Sequence, residues 1–233
     1  MRCRVLPHSY RVNVAAQRPA GYADSSAPGS FRLGRWILWV TAGEALGFLA
    51  PGLAWFAAWK LALPPLSPAV VVVGAGAVEG AVLGWSQWRV LRLWQSSITS
   101  AWVWRTALAA AAAWACGMAP NTLYDLGAPA WVSIAAGLAG APVLLLSIGV
   151  AQWSVLRGFV PRAWRWVAAN VLAWLIALPP TFIGPALVPA DAPVALDLAV
   201  WGVSGIIMAA IVAAVTGRAM ARFAREAPAT APG

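Results

Sequence analysis

The sequence predicts an all-α, polytopic transmembrane bundle of six helices, built from three tandem two-helix hairpins of about 65 residues each. Six apolar stretches lie at residues 37–59, 67–88, 102–120, 129–153, 164–183 and 196–217. Each approaches or exceeds the ~20 residues that a helix needs to cross a bilayer. With 61% hydrophobic and 10% charged residues, the chain has too few polar groups to cover a soluble fold.

The placement of the basic residues predicts the topology. Fifteen of the 16 Lys and Arg residues fall on one side, in the two termini, in the loops that follow even-numbered spans and, for Arg105, near the start of the third span, and only Lys60 falls on the other side. Retained Lys and Arg mark the cytoplasmic side of a membrane. We therefore expect a multi-pass protein of a bacterial inner membrane with cytoplasmic N- and C-termini.

Three regions follow from this assignment. Residues 1–34 show no sustained hydrophobic periodicity. This pattern predicts a disordered basic cytoplasmic tail. Residues 35–225 form the membrane domain, with hairpins at 35–92, 93–157 and 158–225. Residues 226–233 are expected to be a flexible end.

The first two spans each carry one intramembrane carboxyl group. At a rise of 1.5 Å per residue, Glu44 and Glu79 both lie roughly 13–15 Å from the cytoplasmic edge, near mid-membrane. An ionised carboxylate is energetically unfavourable in lipid unless it is paired, protonated or hydrated. We expect the two to meet in the interior and to share a proton, because glycines at GxxxG spacing flank both and allow close helix contact.

The third and fifth spans add two polar residues to this candidate site. Arg105 lies low in the third span and is the nearest cation in the sequence, whereas Asn170 lies in the cytoplasmic half of the fifth. The site is therefore predicted to bind a proton or cation, or to join helices by packing and hydrogen bonds.

The ends of the second and fourth spans repeat. Residues Gly84–Arg92 recur as Gly149–Arg157, with six of nine positions identical, and the sixth span ends in a degenerate copy. The first, third and fifth spans each open with tryptophans. The repeat predicts interfacial positions at Gln87, Trp88, Arg92, Gln152, Trp153 and Arg157. Ten of the 16 tryptophans, from Trp36 to Trp166, should form a belt at the cytoplasmic interface.

Composition and motifs disfavour several functions. The single histidine, His8, lies in the tail, so we expect no metal site, no cofactor and no enzyme, although a carboxylate-based membrane hydrolase stays open. The net charge of +9 is explained by arginines facing anionic lipid headgroups, rather than by nucleic acid. A membrane-protein partner or a second copy of the chain is also expected.

Two functional classes remain open from the sequence. The first is a structural, assembly or membrane-complex subunit, whose specificity lies in its tryptophan-rich and arginine-rich rim. The second is a small-solute, cation or proton transporter that uses Glu44 and Glu79. Only the transporter requires a hydrated path to the two acids.

Three short stretches resemble those of bacterial six-span membrane proteins of uncharacterised activity. They are the repeated Gln-Trp-x-Val-Leu-Arg helix ends, the stretch from Gly43 to Phe48, and Ala214 to Gly217. The resemblance covers residues 35–225. It implies the six-span fold and no particular activity.

Overall fold

Six α-helices dominate the computed structural model, which describes residues 31–189 and 191–226. They are α1 (Leu33–Lys60), α2 (Leu66–Trp94), α3 (Ala101–Asp125), α4 (Ala130–Leu156), α5 (Arg165–Ala186) and α6 (Val194–Glu226). No strand occurs in these two ranges, so the predicted all-α fold is confirmed there. The predicted tail up to residue 30 and the end from 227 onward lie outside the described residues.

Five helices are long and apolar enough to cross a membrane, namely α1, α2, α4, α5 and α6. This supports an integral membrane protein. α3 has 25 residues, which at 1.5 Å per residue reach ~37 Å, but the indoles and Arg105 near its start lower its hydropathy. The sixth crossing and the three-hairpin arrangement therefore stay predictions.

The helices follow one another around a ring. Each packs against its neighbours in the sequence, and α1 also packs against α6. Short loops join consecutive helices, which makes neighbours antiparallel. The first, third and fifth helices thus begin at one end of the bundle, where the second, fourth and sixth helices end.

Small residues set the closest contacts between helices. A Cβ added to Gly80 of α2 would lie 2.8 Å from the backbone oxygen of Thr106 in α3. One added to Gly47 of α1 would lie 3.2 Å from the Cα of Glu79 in α2. These distances leave no room for a side chain, so glycine brings α1, α2 and α3 together around the predicted carboxyl groups.

The outside of the bundle is apolar along its length. Leu38, Leu108 and Leu138 are 68%, 72% and 73% exposed, as expected for side chains that face lipid tails. The polar side chains Gln87, Gln152, Asn170 and Thr216 are instead almost fully buried. Apolar side chains thus face outward and polar side chains face inward, which places the candidate site inside the ring.

Candidate functional site in the bundle interior

Three tryptophans meet inside the ring at the end where the odd-numbered helices begin. Trp36 of α1, Trp102 of α3 and Trp166 of α5 are all 0% exposed. The ring centre of Trp166 lies 6.1 Å from that of Trp36 and 5.9 Å from that of Trp102, within the range of favourable aromatic contacts. The three indoles fill the bundle interior at this end.

Each of these indoles donates a hydrogen bond to the even-numbered helix that precedes it around the ring. The bonds are Trp102 Nε1 to Gln87 Oε1 at 3.0 Å, Trp166 Nε1 to Gln152 Oε1 at 3.0 Å and Trp36 Nε1 to Thr216 Oγ1 at 3.2 Å. Thr216 thus occupies in α6 the place of the two glutamines in α2 and α4. The same contact joins α2 to α3, α4 to α5 and α6 to α1.

The two glutamines also bond to each other. Gln152 Nε2 donates to Gln87 Oε1 at 2.7 Å and to Thr106 Oγ1 at 3.0 Å. The Thr106 hydroxyl in turn donates to the Trp102 carbonyl at 2.7 Å. Because an indole N–H can only donate, the two amide oxygens must face the indoles. Gln152 therefore links α4 to α2, α3 and α5 through direct hydrogen bonds.

The predicted interfacial tryptophans fall into two groups. Trp36, Trp102 and Trp166 are buried inside the bundle, where their N–H groups find acceptors, and the belt at the cytoplasmic interface stays a prediction. Trp88 and Trp153 lie at the rim and are half-buried. The guanidinium carbons of Arg92 and Arg157 lie 5.0 Å and 5.3 Å from the respective ring centres, within reach of a cation–π contact.

The two intramembrane acids meet between α1 and α2, about two helical turns from the tryptophans. Glu44 is 0% and Glu79 5% exposed, and the two carboxyl groups are neighbours in the interior. Carboxylates only accept, so a bond between them requires that one is protonated. Neither Glu44 oxygen has a hydrogen-bond partner among the described residues.

Aromatic side chains pack around the acids on the side away from the buried tryptophans. Trp114 of α3 donates its Nε1–H to Glu79 Oε2 at 2.5 Å. Phe48, one turn beyond Glu44, lies 6.5 Å from Trp114 and stacks on Trp201 of α6 at 4.5 Å between ring centres. The acids therefore lie between an aromatic layer on one side and the glutamine–tryptophan network on the other.

The structure separates the other two predicted members of the site from the acids. Arg105 is exposed, and its guanidinium donates to the hydroxyl of Ser154 in α4. Asn170 is buried one turn after Trp166 and donates its Nδ2–H to the Trp166 carbonyl at 3.0 Å. Among the described residues, neither forms a hydrogen bond or an ion pair with Glu44 or Glu79, so the acids and the amide network are two distinct polar layers.

Sequence reasoning predicted Asn170 but missed the roles of Thr106, Thr216 and Trp114 in this interior. Thr106 lies four residues after Trp102, and Asn170 has the same spacing from Trp166, so a search for polar residues one turn beyond the opening tryptophans finds both. Thr216 was recognisable only as part of a degenerate copy. Nothing in the sequence signals that Trp114 lies against Glu79, because that contact depends on the depth at which α2 and α3 meet.

The carboxyl and amide groups of the site can bind protons and join helices by hydrogen bonds. No group of three or more His, Cys, Asp or Glu side chains suited to a metal ion occurs in the part of the chain that the structure describes. Neither a protein-family model, a curated protein nor a solved structure matches this chain. The functional argument therefore depends on the two polar layers and their surroundings.

Proposed function

We propose that this chain is a six-span structural subunit of a bacterial inner-membrane complex, with both termini on the cytoplasmic side. The supporting observation is that aromatic side chains fill the interior on both sides of Glu44 and Glu79. A transported solute or ion needs a polar, hydrated path at this depth. Trp36, Trp102 and Trp166 occupy that path at one end with their rings in mutual contact.

The six crossings are part of this proposal. α3 is less apolar than the other helices, but it lies between α2 and α4 in the ring, and its polar groups face them. Thr106 is fully buried and Trp102 donates to Gln87. Helix contacts thus shield Thr106 and the Trp102 indole, as is usual for polar residues within membrane bundles, whereas the exposed Arg105 bonds to Ser154 of α4 near the start of the helix.

Proteoliposomes containing the purified protein test the structural role. We expect proton and potassium fluxes equal to those of empty vesicles. In native membranes, a photo-crosslinking amino acid at Leu138, on the least buried of the five candidate spans, should yield one discrete adduct with another polypeptide or a second copy. Adducts with lipid alone would contradict a complex subunit.

One observation favours the second candidate, a proton or cation transporter. Glu44 is fully buried, and its carboxyl group faces a second acid rather than a cation. Such pairs carry protons in some membrane proteins. A proton flux that Glu44→Gln abolishes, while Glu226→Gln at the exposed end of α6 preserves it, would replace the structural proposal with this one.

A further inference from the structure

The interface, or seam, between α4 and α5 carries an apolar groove. The groove has a volume of about 650 Å³ and runs from Trp153 and Trp164 at the arginine-rich end to Leu146 and Leu175 near mid-bundle. It opens on the outside of the bundle, toward the lipid. Ala168 forms part of its floor.

A sequence difference between the repeats explains the opening. The seam between α2 and α3 is closed by Gly80 and Gly84, and a shift of 65 residues places Leu145 and Gly149 at the matching positions of α4. Gly149 still contacts Asn170, with an added Cβ only 3.0 Å from the Asn170 Cβ. Leucine thus replaces the glycine that allows the close contact of α2 with α3 at position 80, and this difference accounts for a wider interface between α4 and α5 beyond Gly149.

The length of the groove matches one lipid leaflet. From Trp164 to Leu175 the helix rises ~16 Å at 1.5 Å per residue. Half of the ~30 Å hydrocarbon layer is ~15 Å. An acyl chain that enters beside the two tryptophans would therefore reach mid-membrane where the groove ends.

Cations surround the open end of the groove. The Arg157 guanidinium lies 5.3 Å from the ring centre of Trp153, which lines the groove. Arg162 is exposed in the adjoining loop. Arg165 forms a 3.5 Å ion pair with Glu226, in which both side chains are more than 40% exposed. Positive charge thus exceeds negative charge where a lipid headgroup would lie.

We propose that this groove binds one anionic diacyl phospholipid, with an acyl chain between α4 and α5 and the phosphate beside Arg157. The apolar lining selects a chain of leaflet length, and the exposed guanidinium groups select the negative headgroup. The site is independent of the proposed structural role, because it lies on the outer surface and uses neither Glu44 nor Glu79.

Native mass spectrometry of the full chain in detergent tests the site with added phosphatidylglycerol or phosphatidylcholine of identical acyl chains. We expect one retained phosphatidylglycerol and weaker retention of phosphatidylcholine. Arg157→Gln should weaken phosphatidylglycerol binding about fivefold, the effect of removing one cation near a membrane surface. The matched control is Arg92→Gln, which alters the equivalent arginine beside Trp88 on the closed seam and should leave binding unchanged.

Two further comparisons distinguish lipid binding in the groove from nonspecific electrostatic attraction. Ala168→Trp should fill the groove and remove the bound lipid, whereas Ala115→Trp on the exposed face of α3 should not. Excess inorganic phosphate should fail to displace the lipid. Equal retention of both lipids, equal losses in Arg157→Gln and Arg92→Gln, or displacement by phosphate alone would overturn the proposal. Arg157 is exposed, so its variant decides the question even if Ala168→Trp does not fold.

Discussion

Gln152 contributes more connections than any other single polar side chain described in the interior. It donates to Gln87 and Thr106 and accepts from Trp166, so its amide joins helices that are distant in the sequence. Buried amide bonds between membrane helices stabilise by ~0.6–2 kcal/mol each. Their combined effect depends on whether every donor retains an acceptor.

Replacement of this amide by an apolar side chain of similar size should destabilise the bundle. Gln152→Leu leaves the buried Trp166 N–H without its acceptor, and an unsatisfied buried donor costs about 1–3 kcal/mol. We expect a decrease of that size in the free energy of unfolding measured by detergent denaturation. The control is Gln95→Leu, at the partly exposed end of α2, which should change stability by less than half as much.

The two acids should tolerate loss of their charge. Glutamine preserves the shape of a protonated glutamate and can donate a hydrogen bond, and a neutral group is cheaper in lipid than an ionised one. The Glu44→Gln, Glu79→Gln double variant is therefore expected to insert and to retain its thermal unfolding midpoint within a few degrees.

The same unfolding measurement can contradict this prediction for the double variant. Degradation or loss of the folded double variant would mean that ionised glutamates hold the bundle together, although neither acid bonds to a cation among the described residues. Glu226→Gln serves as the control for expression and handling, because that glutamate is exposed at the end of α6.

At the residue scale, the sequence indicated which polar residues lie in the interior better than it indicated which side chains they contact. The repeat singled out Gln87 and Gln152, and the cost of charge in lipid singled out Glu44 and Glu79. The sequence did not predict that Arg105 would lie outside the acid layer, because a helix position fixes depth but not the direction in which a side chain points. That direction is set by which neighbouring helix each face contacts.

At the scale of the helices, small residues determine how closely each seam can close. Gly80 and Gly84 of α2 lie against Thr106 and its neighbours in α3. In α4 only Gly149 is retained at the corresponding positions, and the seam with α5 opens beyond it. The repeated ends of α2 and α4 therefore form interfaces of different width, and the replacement of glycine by leucine at position 145 is one difference that accompanies the wider interface.

Two glycines of α2, Gly80 and Gly74, should differ in how well they tolerate substitution by leucine. Gly80→Leu places a side chain where even a Cβ would lie 2.8 Å from the Thr106 oxygen, whereas a Cβ on Gly74 meets nothing within 4 Å. We expect Gly80→Leu to abolish folding or to lower the unfolding midpoint by several degrees, since overpacking costs about 1–3 kcal/mol and each kcal/mol corresponds to roughly 2–4 degrees in a chain of this size. Gly74→Leu should fold normally, and equal behaviour of both variants would contradict the closed seam.

Helix positions were predictable from the sequence because apolar length and turn residues set them locally. The six apolar stretches each fall largely within one helix, although the helices extend beyond them, as α6 does from residue 217 to Glu226. Contact between α1 and α6 was not predicted, because no local pattern reports which helices meet when a ring closes.

For the whole molecule, the crossing of α3 determines the topology. If α3 crosses, residues 97 and 126 lie on opposite faces of the membrane. If it does not, they lie on the same face and the two termini lie on opposite sides. The charge distribution favours the first arrangement, because the arginines before and after each hairpin then share the cytoplasmic face.

Cysteine labelling in intact cells checks this crossing. In a background without the two native cysteines, Leu126→Cys and Leu187→Cys should react with a membrane-impermeant maleimide, since both positions are more than half exposed. Ser97→Cys, exposed in the loop before α3, should react only after permeabilisation. Labelling of positions 97 and 126 from the same side would contradict six crossings.

The central claim is that the interior around the two acids is closed to water, as a structural subunit allows and a transporter does not. Its most direct test is the reactivity of Glu44→Cys and Glu79→Cys toward a small, water-soluble thiol reagent applied from each side of the membrane in turn. We expect no modification from either side on the timescale in which Leu126→Cys reacts completely, because the tryptophan layer and the layer of Phe48, Trp114 and Trp201 exclude water. Rapid modification of position 44 or 79 from either face would contradict the closed bundle and favour a transport site.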